Sequence, residues 1–377
     1  MPGADQQVSP ADGGLRAAAI GGRDLRLFGL CAAGALAAWL TDVLDVGPVV
    51  PFVVSAVALA LLATLVAHSV DALGDRLGAG ATGVLQSALG NLPELFVCLF
   101  ALRAGLYDVV RAALVGSVLA NVLLVLGLAF VVGGIRHGTQ YFATRRARTL
   151  SLLLVLSVAA WLIPSLTDAL HTAAAGHERR LSVITAILLL VLFALSIPAS
   201  IAREPSETAG DVAATVAEAE AEHVAQWPLW LAVVVLALSG LGAAFVSDWF
   251  VAALSPAMAA VHLSNTFAGL VVVAIAGNAV ENAVGIQLAA RNQADYALSV
   301  ILQSPLQIAL VLAPVLVLVA PLVGATFTLV LSPLLIAALI LAALIAVLVV
   351  NDGESTWLEG ATLLVLYVLI AAAFWWG

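Results

Sequence analysis

Apolar runs of eighteen or more residues follow one another along almost the whole of this 377-residue chain. Nothing else in it constrains the fold as strongly. A run of that length marks a transmembrane helix. Inside a bilayer every backbone N–H and C=O must find its partner within the protein, so only helices and closed barrels span it. The runs are too long, and too rich in Ala and Leu, for the short alternating strands of a barrel. Composition agrees: 63% of residues are hydrophobic and 10% charged, against about 25% charged in a soluble domain. The predicted fold class is an all-α polytopic membrane protein with about 11 transmembrane helices, one leading helix plus two inverted-topology five-helix repeats.

The expected spans are roughly 27–46, 48–73, 80–104, 108–133, 149–169, 181–201, 228–252, 266–291, 295–320, 326–350 and 358–376. The first is the weakest, being short of strong hydrophobes and ending in Thr41-Asp42. The chain then divides into a disordered cytosolic tail (1–26), a leading helix (27–46), a first five-helix repeat (47–201), an acidic cytosolic linker (202–227) and a second five-helix repeat (228–377). The linker carries Glu204, Glu207, Asp211, Glu218, Glu220 and Glu222 against Arg203. It is either a solvated hinge or an acidic helix that concentrates cations near an entrance. All basic residues are Arg, and ten of the fourteen fall in the tail and loops on the N-terminal side of the membrane. The positive-inside bias makes that side cytoplasmic and sends the C-terminus, with Trp375 and Trp376, to the outer interface. The expected location is a bacterial inner (plasma) membrane.

Two of the apolar stretches carry one polar pattern. Gly90-Asn91-Leu92-Pro93-Glu94 is followed by Asp108, Ser117 and Asn121; Gly277-Asn278-Ala279-Val280-Glu281 is followed by Asp295, Ser304 and Gln307. Gly277, Asn278, Glu281, Asp295 and Ser304 each lie 187 residues after Gly90, Asn91, Glu94, Asp108 and Ser117, which makes an internal repeat. Glu94 lies on the third span and Glu281 on the eighth, so their helices cross in opposite senses. That is the plan of inverted-repeat transporters, whose substrate sits at the midplane where the repeats meet.

A carboxylate at the centre of a spanning helix costs about 2.5–3.5 kcal/mol on insertion scales. Glu94 and Glu281 are the two near mid-span, whereas Asp42 and Asp248 lie nearer span ends. The pair is expected to stand face to face and carry transport; a buried hydrogen-bonding role is the structural alternative. Glycine lets backbone approach an ion or a facing helix, Pro93 frees a carbonyl in the preceding turn, and each Asn adds an amide oxygen. Ser117 with Asn121, and Ser304 with Gln307, stand at i,i+4 and i,i+3, either as further ligands or as interhelical hydrogen bonds. Asp108 and Asp295 open their helices and are expected to cap them. Gln86, one turn before Gly90, is a ligand or a packing residue. Carboxylate, amide, hydroxyl and carbonyl oxygens form a hard set suited to Ca²⁺, Na⁺ or Mn²⁺. The expected cation-site residues are Glu94, Glu281, Asn91, Asn278, Ser117, Ser304, Gln307, Gly90 and Gly277, with Glu94 and Glu281 also carrying the proton. Both ionised, the pair balances one divalent cation; both protonated, the site is closed to metal, so cation and proton compete for the same oxygens.

These motifs resemble those of the cation/Ca²⁺ exchanger superfamily and, within it, the Ca²⁺/H⁺ antiporters. The resemblance rests on the two Gly-Asn-x-x-Glu copies, on Gly116-Ser117 and Gln303-Ser304-Pro305-Leu306-Gln307, and on Asp71-Ala72-Leu73-Gly74-Asp75-Arg76-Leu77-Gly78 leading into the first copy. It implies Glu94 and Glu281 as cation and proton carriers, with Asn91, Asn278, Ser117, Ser304 and Gln307 along the ion pathway. Two positions depart from the family: Asn282 stands where His is usual, and Gln303 where Gly is common. The resemblance implies exchange of cytosolic Ca²⁺ for H⁺ by alternating access, with Na⁺/H⁺ or Na⁺/Ca²⁺ exchange as the alternative choice of ions.

The alternative of another class is a passive cation channel constricted by the two carboxylates. An enzyme is not expected. The spans hold no His-Glu-x-x-His or Gly-x-Ser-x-Gly, and a chain without Lys has no phosphate-binding Gly-x-x-x-x-Gly-Lys-Ser/Thr. Cys31 and Cys98 stand singly in apolar segments and read as small core residues. No cofactor and no nucleic acid is expected; the partners are inorganic cations and the lipid bilayer.

Overall fold

The computed structural model describes residues 21–44, 46–77, 85–86, 88–201 and 227–376, apart from the side chains of 75–77, 146, 198–201, 280 and 281. The tail before residue 21 and the linker 202–226 lie outside the described residues, as do the readings made on them. Helix occupies some part of every expected span. In chain order the helices are α1 (Gly22–Val43), α2 (Val49–Leu77), α3 (Leu92–Arg103), α4 (Tyr107–His137), α5 (Thr144–Ala169) and α6 (Glu178–Ile201). They continue as α7 (Leu229–Ala260), α8 (Asn265–Gly277), α9 (Ala279–Ala290), α10 (Ala294–Val323), α11 (Pro333–Val349) and α12 (Trp357–Ala373). Among the described residues seven helices are long and apolar enough to cross a bilayer, and eight if the bent α8–α9 pair is one span. α11 and α12 have 17 residues each, about 26 Å of helix against a hydrocarbon core of about 30 Å.

Local chemistry moves two boundaries from where hydropathy put them. α1 begins at Gly22, because Asp24 Oδ2 accepts the Gly21 N–H at 3.0 Å, so residues 22–26 are helix and not tail. α11 begins at Pro333 rather than 326, since Ser332 caps it and proline at the first helical position gives up no hydrogen bond. Residues 325–332 before it run extended, burying Ala325, Phe327, Leu329 and Leu331 in strand-like alternation. Ser165 Oγ donates to Leu329 O (2.9 Å) and accepts from Leu331 N (2.9 Å), and Ser182 Oγ accepts from Leu329 N (3.0 Å).

α4 is the axis of the molecule. Nearly every side chain from Val109 to Leu126 is buried. Glycines let its neighbours touch its backbone: a Cβ on Gly116 would lie 2.1 Å from Leu270 O of α8, and one on Gly360 of α12 would lie 2.5 Å from Gly127 O. Close backbone approach at small residues is how helices associate where lipid removes the hydrophobic drive between them. α7 packs along α2, with Phe52 stacked on Phe250 at 4.9 Å between ring centroids, and α1 lies against α2. Leu188 and Leu195 of α6 and Val365 and Leu369 of α12 point outward, which suits lipid and not water. A short ribbon of β1 (Gln140–Tyr141) and β2 (Glu354–Ser355) pairs Gln140 with Ser355 and ties the α4–α5 loop to the α11–α12 loop.

The 187-residue repeat recurs in local structure. α3 and α9 have 12 residues each. Both α4 and α10 contain a wider π-helical turn, at Ala120–Val125 and Ile308–Leu312, which overlap at the same offset. Such turns leave carbonyls without regular helical partners and gather at functional sites.

Candidate functional site

The two Asn residues of the repeat are where the backbone leaves the helix. Asn91 (φ −93°, ψ 18°) precedes α3 and Asn278 (φ −108°, ψ 16°) precedes α9; α8 and α9 meet there at a 63° bend. Pro93 sits in the first turn of α3, where a missing N–H costs little. The second copy has Val280 in that place and breaks in the same way. The break therefore belongs to the Gly-Asn pair, and Pro93 does not cause it by freeing a carbonyl as its position suggested. A Cβ on Gly90 would stand 2.5 Å from Gln86 O, so glycine is required for this turn, while Gln86 itself is exposed.

The break delivers polar side chains into a buried interior. Glu94 is 1% exposed. Ser117 Oγ donates to Glu94 Oε1 at 2.5 Å, the length of a charge-assisted O–H···O⁻ bond. Asn278 Nδ2 donates to Ser117 Oγ (3.2 Å) and to Ala274 O (2.9 Å), and Ser304 Oγ donates to Asn278 Oδ1 (3.0 Å). Asn91 Nδ2 donates to Gln307 Oε1 (3.1 Å), and Asn121 Nδ2 to Ser117 O (2.8 Å). Gly277 lies against Glu94, at ordinary contact distance for a Cβ (3.5 Å from the carboxyl carbon). A narrow cleft opens onto Glu94 between Leu59 of α2, Phe250 of α7 and Gly277.

Of the nine residues read from sequence, the structure gathers Glu94, Asn91, Asn278, Ser117, Ser304, Gln307 and Gly277. Gly90 shapes the turn behind them. Glu281 lies on α9, three residues after Asn278, and its side chain is outside the described residues, so the facing of the two carboxylates is a matter for proposal. Asn282, next to it, is buried, and its Oδ1 has no hydrogen-bond partner among the described residues.

Two expectations are corrected. Asp108 does not cap α4; it is exposed and pairs with Arg111 at 3.0 Å, three residues along its own helix. Asp295 does not cap α10; it reaches across to accept the Ala143 N–H at 2.5 Å. Both chains find cationic or backbone donors in the other direction, and neither helix has a side-chain cap. Sequence reasoning passed over Trp161, whose indole N–H donates to Ala309 O in the π-helical turn of α10 (3.2 Å), and Gln140 in the ribbon. A buried tryptophan in an apolar run reads as core, and a polar residue in a loop reads as solvent-exposed.

Broken helices that meet through a polar, hydrogen-bonded interior are the plan of secondary transporters, and the family and relatives that match this chain are membrane antiporters of inorganic cations, not enzymes. The family described as sodium/calcium exchanger protein matches the chain twice, over residues 48–202 and 231–376. The chain belongs to the sodium/calcium exchanger family. It is 33% identical over 349 residues to the Ca(2+)/H(+) antiporter of Synechocystis sp., covering 87% of this chain and 91% of that protein. It is likewise 33% identical to the Ca(2+)/H(+) antiporter ChaA of Bacillus subtilis, over 92% and 98% of the two chains. The solved structure of native YfkE superposes with a TM-score of 0.77 at 31% identity, over 93% of this chain and 99% of that one.

Proposed function

We propose that this protein exchanges cytosolic Ca²⁺ for H⁺ by alternating access, with Glu94 and Glu281 as a midplane pair that holds either the metal or the protons. The observation that carries this reading is the hydrogen-bonded line Glu94–Ser117–Asn278–Ser304, which runs from one copy of the repeat into the other at the points where both helices break. Such a line supplies carboxylate, hydroxyl and amide oxygens together, the donor set of a hard cation. The resemblance to Ca²⁺/H⁺ antiporters supports the choice of ions.

Contacts between loops support eleven crossings. Asp24 with Trp227, Gln140 with Asn292 and Ser355, and Arg148 with Asn351 bring together segments that eleven spans place on the N-terminal side. Arg111 with Thr328, Ser182 with Leu329, and Ser264 with Phe374 bring together segments on the opposite side. Dropping any single span from the count would put at least one of these touching pairs on opposite faces of the membrane. With eleven crossings α3 and α9 run in opposite senses, and the two halves, 47–201 and 228–377, are inverted repeats around the site. Arginine asymmetry supports a cytoplasmic N-terminus.

Proton and metal compete for the same carboxylates, so acidifying the side that presents Ca²⁺ weakens its binding and acidifying the opposite side drives its release. Each charge moved through 100 mV is worth about 2.3 kcal/mol, so the membrane potential assists Ca²⁺ export only when more than two protons enter per ion. The test is ⁴⁵Ca²⁺ flux into proteoliposomes under an imposed pH gradient, with wild type, Glu94→Gln and Glu281→Gln. Both variants are expected to lose transport, and retained transport in either refutes the pair. Flux that follows a Na⁺ gradient instead selects Na⁺ exchange, and downhill flux without counter-flow selects a channel.

A further inference from the structure

α9 is a short helix packed against α4 and α10. It leaves the off-helical turn at Asn278, and side chains from the other half of the chain bond its far end, Ala289–Ala290. The holding group comes from the other half of the chain. Gln140 is 2% exposed, and its Nε2 donates to Ala289 O (3.0 Å) and to Asn292 Oδ1 (2.9 Å). Two acceptors on one nitrogen fix which way the amide points. Its Oε1 occupies the place where a side chain on Gly133 of α4 would begin, 1.9 Å from an ideal Cβ. His137 and Asp295 flank it, His137 Nε2 lying 2.9 Å from Ala290 O and Asp295 accepting from Ala143 N. Asn292 holds a left-handed backbone conformation, φ 63°, which Asn and Asp accept better than other side chains. Phe130, Gln140, Ala289, Ala294 and Leu298 line a small gap beneath the clamp.

We propose that Gln140 is a positioning residue for the cation site, clamping the far end of α9 against α4 and so setting where Glu281 stands relative to Ser117 and Glu94. This rests on the reading of Glu281 as a carrier. Glu281 lies three residues from the turn at Asn278, about 4.5 Å of helix, so a swing of about 15° about that turn moves it by about 1 Å. That displacement separates a ligand shell that closes on a cation from one that does not.

Three near-isosteric changes test it. Gln140→Glu places a carboxylate against two acceptors and opens the clamp. Asn292→Asp turns one of the clamp's hydrogen bonds into a charge-assisted one and tightens it. Gly133→Ala displaces the Gln140 amide from the opposite helix. Hydrogen exchange of amides 282–290 in the purified protein reads the clamp without reference to Glu281, and ⁴⁵Ca²⁺ flux reads the site. Gln140→Glu and Gly133→Ala are expected to speed exchange in α9 selectively and to raise the KM for Ca²⁺ about tenfold, the loss of one to two buried hydrogen bonds, with flux at saturating Ca²⁺ held within about threefold. Asn292→Asp is expected to slow that exchange, an opposite sign that simple destabilisation does not produce. Unchanged α9 exchange in Gln140→Glu and Gly133→Ala overturns the clamp. Faster exchange with an unchanged KM overturns its role in site geometry. Normal transport by Glu281→Gln overturns the reading of Glu281 as a carrier, and the clamp variants do not bear on that point.

Discussion

Ser117→Ala is the smallest change that separates a transport site from a structural polar core. The hydroxyl is fully buried, donates to Glu94 Oε1 at 2.5 Å and accepts from Asn278 Nδ2 at 3.2 Å. Asn278 keeps its second acceptor, Ala274 O at 2.9 Å, so the loss falls mainly on Glu94. A hydrogen bond to a charged group contributes about 1.5–3 kcal/mol. If the hydroxyl orients Glu94 for a cation and adds an oxygen, its removal raises the Kd for Ca²⁺ by about 10- to 150-fold, 1.4 kcal/mol being a factor of ten. Ser304→Ala, which loses only a bond to the neutral Asn278 amide, is worth about 0.5–1.5 kcal/mol, a rise of about 2- to 12-fold. Calorimetric titration of Ca²⁺ into the purified protein measures both. A Kd for Ser117→Ala within twofold of wild type, or a larger effect from Ser304→Ala, refutes the reasoning.

Two further changes address the scaffold. Gly116→Ala puts a Cβ 2.1 Å from Leu270 O, more than an ångström inside ordinary contact and against backbone; α4 and α8 must part beside Ser117, so stability falls by at least the 1–3 kcal/mol of an overpacked core, and both the thermal midpoint and Ca²⁺ transport are expected to drop together. Thr356→Ala removes a capping box in which Thr356 Oγ1 accepts from Glu359 N while Glu359 Oε2 accepts from Thr356 N at 2.8 Å; it is expected to cost about 1 kcal/mol and lower the thermal midpoint, with the KM for Ca²⁺ unchanged.

What was legible in the sequence is what depends on short-range pattern. Spans show as apolar runs because a bilayer admits little else, and the repeat shows because Gly, Asn, Glu and Ser recur in one register. The segment 325–332 escaped because a hydropathy window averages over the alternation of Ala325, Phe327, Leu329 and Leu331, although Ser332-Pro333 announced the true helix start. The expected caps at Asp108 and Asp295 failed because propensity at a helix start does not know of Arg111 or of the Ala143 N–H from a distant loop. Pairings such as Asn91 with Gln307, or Gln140 with Ala289, join residues 216 and 149 positions apart, and no local rule couples them.

The repeat is symmetric in sequence and asymmetric in bonding, and the difference bears on function. By register Asn91 corresponds to Asn278, and Ser117 to Ser304. A symmetric interior would have Asn91 donate to Ser304 as Asn278 donates to Ser117. Instead Asn91 donates to Gln307, and Ser304 gives its proton to Asn278. Each hydroxyl has one proton to give, so every link in the line Ser304→Asn278→Ser117→Glu94 points towards the first-copy carboxylate. The hydrogen bonds among the described side chains thus converge on Glu94. In the exchange proposed above, a cation or a proton that takes Glu94 Oε1 must therefore compete with the hydrogen bond that this line directs at it.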